Sequence, residues 1–151
     1  MALSLYYNLM PARARVKFIE TPDAAALRGI ITIYRAHGWW KPGDKPALLK
    51  KLIKGSHCFA VAEAGGRVIG IGRAISDGVS DAYIQDMAVL ETERGSGAGS
   101  AILKAIMKRL KKDGVKWVAL IAQDNSEYFY AKSGFKTLPR ARPMLSKESY
   151  V

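Results

Sequence analysis

Between residues 83 and 110 the chain reads YIQDMAVL, then ETERGSGAGS, then AILKAIMKRL. The first block is written as a β-strand and the last as an amphipathic helix, so strand and helix meet across a turn holding Gly95, Gly97 and Gly99. A helix that leaves the end of a strand must bury its apolar stripe on a sheet face. The chain therefore needs a sheet covered by helices. Glycine weakens a helix by roughly 1 kcal/mol relative to alanine, so three of them at a helix entrance call for a reason.

The rest of the sequence supplies the sheet. ARVKFIE reads as a first strand, closed by a helix start with Thr21 as N-cap, Pro22 in the first turn and Asp23 near the positive end of the dipole. Leu27, Ile30, Ile31 and Tyr34 keep helical spacing up to Gly38, and after the loop GWWKPGDKP a second helix carries Leu48, Leu49, Leu52 and Ile53 on one face, closing near Gly55. The period then changes. HCFAVAEAGGRVIGIGRAIS is two strands around an AGG turn, and AYIQDMAVL is the next strand. After the glycine turn come a helix over 97–112 and the strand VKWVALIA, apolar on both faces and so expected inside the sheet. Asp124 and Glu127 have capping-box spacing for a short last helix, SEYFYAKS, stopped by Gly134. FKTLPRARPMLS adds one or two edge strands if Pro139 and Pro143 permit. The reading is an α/β (α+β) sandwich in one domain over 1–151, with no repeat or linker.

With 151 residues, the chain is long enough to bury a core without staples. Its single cysteine, Cys58, lies in the apolar run CFAVA and is read as a core residue in a reducing compartment. No apolar run approaches the ~20 residues needed to span a bilayer. In MALSLYYNLMPARAR the basic residues follow the apolar part, the wrong order for a secretory signal, although its lack of acids leaves an organelle-targeting reading open. The cytoplasm is the expected location. A net charge of +11, from 24 Lys and Arg against 13 Asp and Glu, admits nucleic acid, anionic membrane or an acidic ligand as company. Aromatic residues are not interleaved with the basic ones, densest in KRLKKDGVK, so a solvated face is the better reading and nucleic acid is not the expected partner.

A glycine-rich turn opening a helix brings several unpaired N–H groups and the positive end of the dipole to one point, which suits a phosphate or pyrophosphate. Arg94 adds a cation just before it. Against the dinucleotide fingerprint G-x-G-x-x-G, Gly95 and Gly97 fit but Ser100 replaces the last small residue, and no Gly-Lys-Ser/Thr follows as a P-loop requires. A merely tight strand-to-helix turn is the alternative.

In Arg94, Gly97 and Gly99 the turn resembles the pyrophosphate loop Q/R-x-x-G-x-G/A of the GNAT (GCN5-related N-acetyltransferase) superfamily, and FYAKSGF at 129–135 resembles that family's FYxxxGF segment. The likeness runs over roughly 16–138 and is closest to small prokaryotic-type members with little defined substrate. It implies a mixed, mostly antiparallel sheet of about six to seven strands flanked by about four helices and splayed between the fourth and fifth strands. It further implies acetyl-CoA as cosubstrate and an amine as acceptor. Met87, Ala88 and Val89 would pair with the pantetheine arm by their backbone, and Arg94, Gly95, Ser96, Gly97, Ala98, Gly99 and Ser100 would hold the pyrophosphate, with Asn125 added to the cofactor set. Tyr130 matches the family's general acid, which protonates the leaving thiolate.

The resemblance leaves the base open. Some polyamine-acylating relatives carry Glu where this chain has Gln85, and alternation sends the adjacent Asp86 to the opposite sheet face unless a bulge intervenes. A water chain, a neutral acceptor or an inward-turned Asp86 would each serve; Gln85 is then a substrate contact. Trp39 and Trp40 border the family's acceptor pocket or else plug the core, and Tyr83 is placed with that pocket. His37 and His57 lack the company of a metal site. The implied function is acetyl transfer from acetyl-CoA to a primary amine, with a catalytically silent CoA-binding module and a basic nucleic-acid-binding domain as rivals. Edge strands near the C-terminus make a homodimer reasonable.

Overall fold

The computed structural model describes residues 14–149. The chain divides into two compact units, one ending at Ala119 and the other beginning at Leu120. In the first, β1 (Arg15–Phe18), α1 (Ala24–Ala36), α2 (Pro46–Gly55), β2 (Cys58–Ala64), β3 (Arg67–Ser76), β4 (Asp81–Val89), α3 (Ala98–Lys112) and β5 (Trp117–Ala119) follow in order. The strands form one sheet in the order β1-β2-β3-β4-β5. All pairings are antiparallel except the last, where β4 and β5 run parallel. The second unit holds one short helix, α4 (Glu127–Ala131), and otherwise turns and irregular chain. The fold class is as expected, with five strands rather than six or seven among the described residues.

The shortfall lies after β5. FKTLPRARPMLS forms no strand, since Pro139 and Pro143 have no N–H to give a ladder. VKWVALIA is strand only over three residues and lies at the sheet edge rather than inside it: β4 is its only strand neighbour among the described residues, and Trp117 and Ile121 stay exposed. The targeting reading of the first residues falls largely outside the described chain.

α1 begins two residues later than expected. Asp23, not Thr21, is the N-cap: its backbone is extended and its Oδ1 accepts the Ala26 N–H at 2.8 Å. Pro22 stands before the cap. Leu27, Ile30, Ile31 and Tyr34 are buried as the spacing predicts. The helix ends in a Schellman motif, with the Gly38 N–H bonded to the Arg35 carbonyl and the Trp39 N–H to the Tyr34 carbonyl. Gly38 takes φ +71, and the Trp39 ring meets Tyr34 edge-on at 5.5 Å between centroids. On α2, Leu49 and Ile53 are buried and Leu52 partly so, but Leu48 points to solvent, because only a narrow stripe of this short helix reaches the core.

α1 and α2 bury their apolar residues on one sheet face, against Phe59, Val61, Val68, Ile71 and Ala88. α3 packs on the other through Ile102, Leu103, Ile106 and Leu110, all but inaccessible to solvent. Two strand glycines let it come close. A Cβ at Gly70 would stand 3.0 Å from Ile102 Cδ1, and one at Gly72 would meet Met87 Sδ and lie 2.7 Å from Ile102 Cγ2. Cys58 is a core residue, its thiol pushed up to about 11 by burial. At the C-terminal end of α3, Asp113 Oδ2 receives the Arg109 Nε–H at 2.6 Å and lies 2.8 Å from His57 Nε2, tying the helix end to the start of β2.

Two outcomes follow. Gly72→Val overfills the α3 interface, and the urea midpoint falls by an amount equivalent to about 1–3 kcal/mol with an unchanged slope. Arg109 first, and His57 second, hold the Asp113 carboxyl below its ordinary range. A folded value below the unfolded one stabilises above the unfolded pKa and is lost as pH falls through the folded one. Wild type should melt above Asp113→Asn near neutrality, and the two melting curves should converge below about pH 4.

Candidate active site

Ladder register locates an irregularity in the middle of β4. Arg73 of β3 faces Gln85, and Ile71, two residues earlier, faces Ala88, three residues later on β4. β4 thus carries one extra residue, a bulge, and Asp86 within it has φ +52. Alternation would put Gln85 and Asp86 on opposite faces; the bulge brings both to the face covered by α1. There the Arg73 guanidinium donates from Nε to Asp86 Oδ2 at 2.5 Å and from Nη2 to Gln85 Oε1 at 3.1 Å. Tyr34 of α1 donates its hydroxyl to the same Asp86 oxygen at 2.7 Å. Burial, and next the Asp86 carboxylate, push the Tyr34 phenol well above its ordinary value, so it remains a donor. Asp86 is turned inward, and its inward oxygen is held by two donors.

Beyond the bulge, Met87 turns to the α3 side beneath Gly72, Ala88 enters the α1 core, and Val89 lies against Gly70. Their side chains are committed to packing, which leaves their backbone as the part free to pair. β5 matches β4 only at Asp81↔Trp117, Ala82↔Val118 and Tyr83↔Ala119. From Ile84 to Val89 the edge of β4 away from β3 has no strand partner among the described residues.

The chain next makes a 3-10 turn, Glu91–Glu93, and reaches Gly95 at φ +79 and Gly97 at φ +86. Both need the left-handed region, so glycine is required by the turn itself. Gly97 is the N-cap of α3 and offers no side chain to its first amides. The Ser96 hydroxyl reaches the Ala98 N–H at 3.4 Å; the N–H groups of Gly95, Gly97, Gly99 and Ser100 have no protein partner among the described residues. Ala98 is buried, and Arg94 is exposed beside the turn. Four unpaired donors at the positive end of a 15-residue helix fit an anionic group such as a pyrophosphate.

The tryptophans divide. Trp39 is half exposed, stacked on His37 and edge-on to Tyr34, hence one residue removed from Asp86. Trp40 packs against the core beneath α1 and lines a separate cleft with Arg35 and the loop Lys41–Asp44. Tyr83 is half exposed and meets Trp117 edge-on at 5.5 Å. Among the described residues no cluster of His, Cys, Asp or Glu is arranged to hold a metal, and no helix is long and apolar enough to cross a membrane.

In the second unit, Tyr130 is half buried between Phe129 and Phe135, whose ring centroids lie 5.0 and 6.0 Å from its own. Burial raises its phenol above the ordinary value. Tyr128 points to solvent. The capping box does not form: Ser126 is the N-cap and lends no side chain, because Asp124 and Asn125 take left-handed φ of +52 and +59 in the turn before it. The Phe135 N–H bonds back to the Tyr130 carbonyl, and Gly134 at φ +89 ends the helix as expected.

Sequence reasoning missed Arg73 and Tyr34. Arg73 is the one charged residue within VIGIGRAI, which marks it as needing a partner, but its register with Gln85 is a property of the folded sheet.

Residues 34–143 match the family model described as acetyltransferase (GNAT) domain. Serotonin N-acetyltransferase 2, chloroplastic, of Oryza sativa subsp. japonica is 32% identical over 82 residues, 54% of this chain and 41% of that protein. An uncharacterised N-acetyltransferase of Prochlorococcus marinus is 31% identical over 74 residues, again 41% of its length, so the chain spans about two-fifths of the curated relatives it matches. Among solved structures, a protein of unknown function from Staphylococcus aureus, described as a probable acetyltransferase, superposes with a TM-score of 0.70 at 28% identity, covering 89% of this chain and 98% of that one. A GNAT family acetyltransferase of Streptococcus pneumoniae shares the fold at a TM-score of 0.72 and 24% identity, over 91% of this chain and 99% of that one. With its glycine turn and a family match spanning most of its length, the chain belongs to the GNAT acetyltransferase family.

Proposed function

We propose that this chain transfers the acetyl group of acetyl-CoA to the primary amine of a small molecule or peptide by direct attack. The observation that carries the reading is the set of unpaired amides at Gly95, Gly97, Gly99 and Ser100, reached directly from a strand edge left open over residues 84–89. Those amides and Arg94 would hold the pyrophosphate, and the backbone of Met87, Ala88 and Val89 would pair with the pantetheine arm as an added strand pairs with a sheet. When bound, acetyl-CoA supplies an acyl group activated as a thioester.

Tyr130 is the proposed acid. Its phenol, raised by burial, keeps its proton throughout the neutral range and can give it to the sulfur as the C–S bond breaks and the new C–N bond is complete. The attacking nitrogen sheds a proton in exchange. Because Asp86 is engaged by Arg73 and Tyr34, we assign that proton to water, from which an equal proton returns to the Tyr130 oxygen, and give Asp86 the task of fixing the bulge; an acceptor that arrives neutral needs no earlier deprotonation. Gln85 is left as an acceptor contact, with Asn125 as a further proposed cofactor contact.

Acetyl-CoA at about a hundredfold excess over its Kd should stabilise the folded protein by about 2.7 kcal/mol, read as a rise in melting temperature. Gly97→Val, which forces a branched residue to φ +86, should remove the rise, and Arg94→Gln should reduce it. No rise in wild type would defeat the proposal. Tyr130→Phe should keep the rise and lower kcat by about 10²–10⁴-fold, and the wild-type rate should show no Tyr130-linked decline below about pH 10.

A further inference from the structure

We propose that the side-chain amide of Gln85 is a catalytic donor, held by Arg73 so that its N–H groups meet the acetyl carbonyl oxygen of bound acetyl-CoA. The inference rests on the acetyl-transfer reading above and sharpens the part given there to Gln85: the amide serves the thioester rather than the incoming nitrogen.

An unrestrained glutamine can turn either its oxygen or its nitrogen to a ligand. In Gln85 the oxygen is already taken. Arg73 and Gln85 are direct partners across the β3–β4 ladder, so their side chains leave one sheet face side by side. A guanidinium carries N–H donors and no acceptor, so the amide atom that faces it must be the oxygen. That contact is in place, from Arg73 Nη2 to Gln85 Oε1 at 3.1 Å. The N–H groups of Gln85 Nε2 are then turned away from Arg73, and they have no protein partner among the described residues.

Arg73 is itself fixed. Its side chain is 13% exposed, its Nε donates to Asp86 Oδ2 at 2.5 Å, and Tyr34 donates to the same oxygen at 2.7 Å. The planar fork thus holds two consecutive residues of β4, one by its carboxylate and one by its amide, which a lysine ammonium cannot do with a single nitrogen. Asp86 reaches that face only through the bulge. The bulge therefore also sets which end of the Gln85 amide is offered.

Place along the strand supplies the target. With the pyrophosphate at 94–100 and the pantetheine arm on the backbone of 87–89, the cosubstrate runs back along β4, and the next residues in its path are Asp86 and Gln85, the latter about 7 Å before Met87. Gln85 is exposed and lies just past Tyr83↔Ala119, the last β4–β5 pair, where the strand edge opens. Of the two side chains, Asp86 is closed by Arg73 and Tyr34, whereas Gln85 keeps donors to give.

A donor there restricts the chemistry. It offers nothing to the N–H groups of an ammonium and suits an oxygen that gains negative charge. Gln85 can stabilise the carbonyl oxygen as the amine nitrogen adds to the carbon and the C=O π pair moves onto that oxygen, and can release it as the pair returns and the C–S bond breaks. No proton leaves the amide in either step.

The test compares wild type with Gln85→Met, which keeps length and removes the donor, Gln85→Glu, which puts acceptors in its place, and Arg73→Lys, which keeps a cation without the fork. In difference infrared spectra with acetyl-CoA carrying a heavy isotope at the carbonyl carbon, the wild-type complex should show the carbonyl band below its position in free acetyl-CoA. In Gln85→Met and Gln85→Glu the band should return toward the free position, and in Arg73→Lys it should return in part. The preference for acetyl-CoA over CoA in Kd should fall by roughly two- to tenfold in Gln85→Met, and further in Gln85→Glu. With any amine that wild type acetylates, Gln85→Met should lower kcat by about 10²–10³-fold and leave the amine KM unchanged. All three variants should keep the melting rise with CoA, which has no acetyl group. An unshifted band in wild type, a shift that survives in Gln85→Met, a loss confined to the amine KM, or an improvement in Gln85→Glu would each overturn the assignment of Gln85; a full wild-type shift in Arg73→Lys would overturn that of Arg73. Absence of a melting rise with both CoA and acetyl-CoA in wild type would overturn the acetyl-transfer reading and this inference with it.

Discussion

The left-handed backbone of Asp86 is the constraint on which the candidate site depends. A non-glycine residue in that conformation costs on the order of 1–3 kcal/mol and persists only where its surroundings enforce it. Here enforcement comes from two elements distant in sequence, Arg73 of β3 and Tyr34 of α1, both donating to one carboxylate oxygen. The extra residue reverses the parity of β4. Tyr83 and Gln85 face α1 before it; after it Ala88 takes that face and Met87 turns beneath α3. Without the bulge both cores would be filled by the wrong side chains.

The same strand delivers the glycine turn. β4 is anchored by ladder bonds to β3 up to Val89, and the Leu90 N–H bonds to the Ile69 carbonyl, so the turn starts from a fixed point. On the far side, α3 is fixed through Ile102 and Ile106 against Gly70 and Gly72. Rigid elements at both ends of the turn hold its free amides in place without help from a ligand. Such preorganisation is what gives backbone donors their value in binding an anion.

Much of this was legible locally. The α1 stripe of Leu27, Ile30, Ile31 and Tyr34, the Gly38 and Gly134 stops and the glycine turn are written in spacing and residue type, and the fold follows that text. Features decided by tertiary partners were not. The choice between Thr21 and Asp23 as cap turned on which oxygen reached the Ala26 amide. Leu48 looked like core because periodicity cannot say how wide a stripe the sheet will cover. VKWVALIA read as a central strand, yet an apolar run becomes central only if strands exist on both sides of it. For Asp86 the sequence posed the right alternatives, and only Arg73 and Tyr34, brought together by folding, selected the inward one.

An open strand edge is also a hazard, since any extended chain can add to it and begin an intermolecular ladder. The edge from Ile84 to Val89 is guarded by its own irregularity. A long intruding strand needs unbroken register, and the bulge interrupts register in the middle of the unpaired stretch. A short, strand-like molecule can dock on the residues beyond it, whereas a neighbouring polypeptide would have to break step halfway. The kink that aims Asp86 therefore also discourages self-association through this edge.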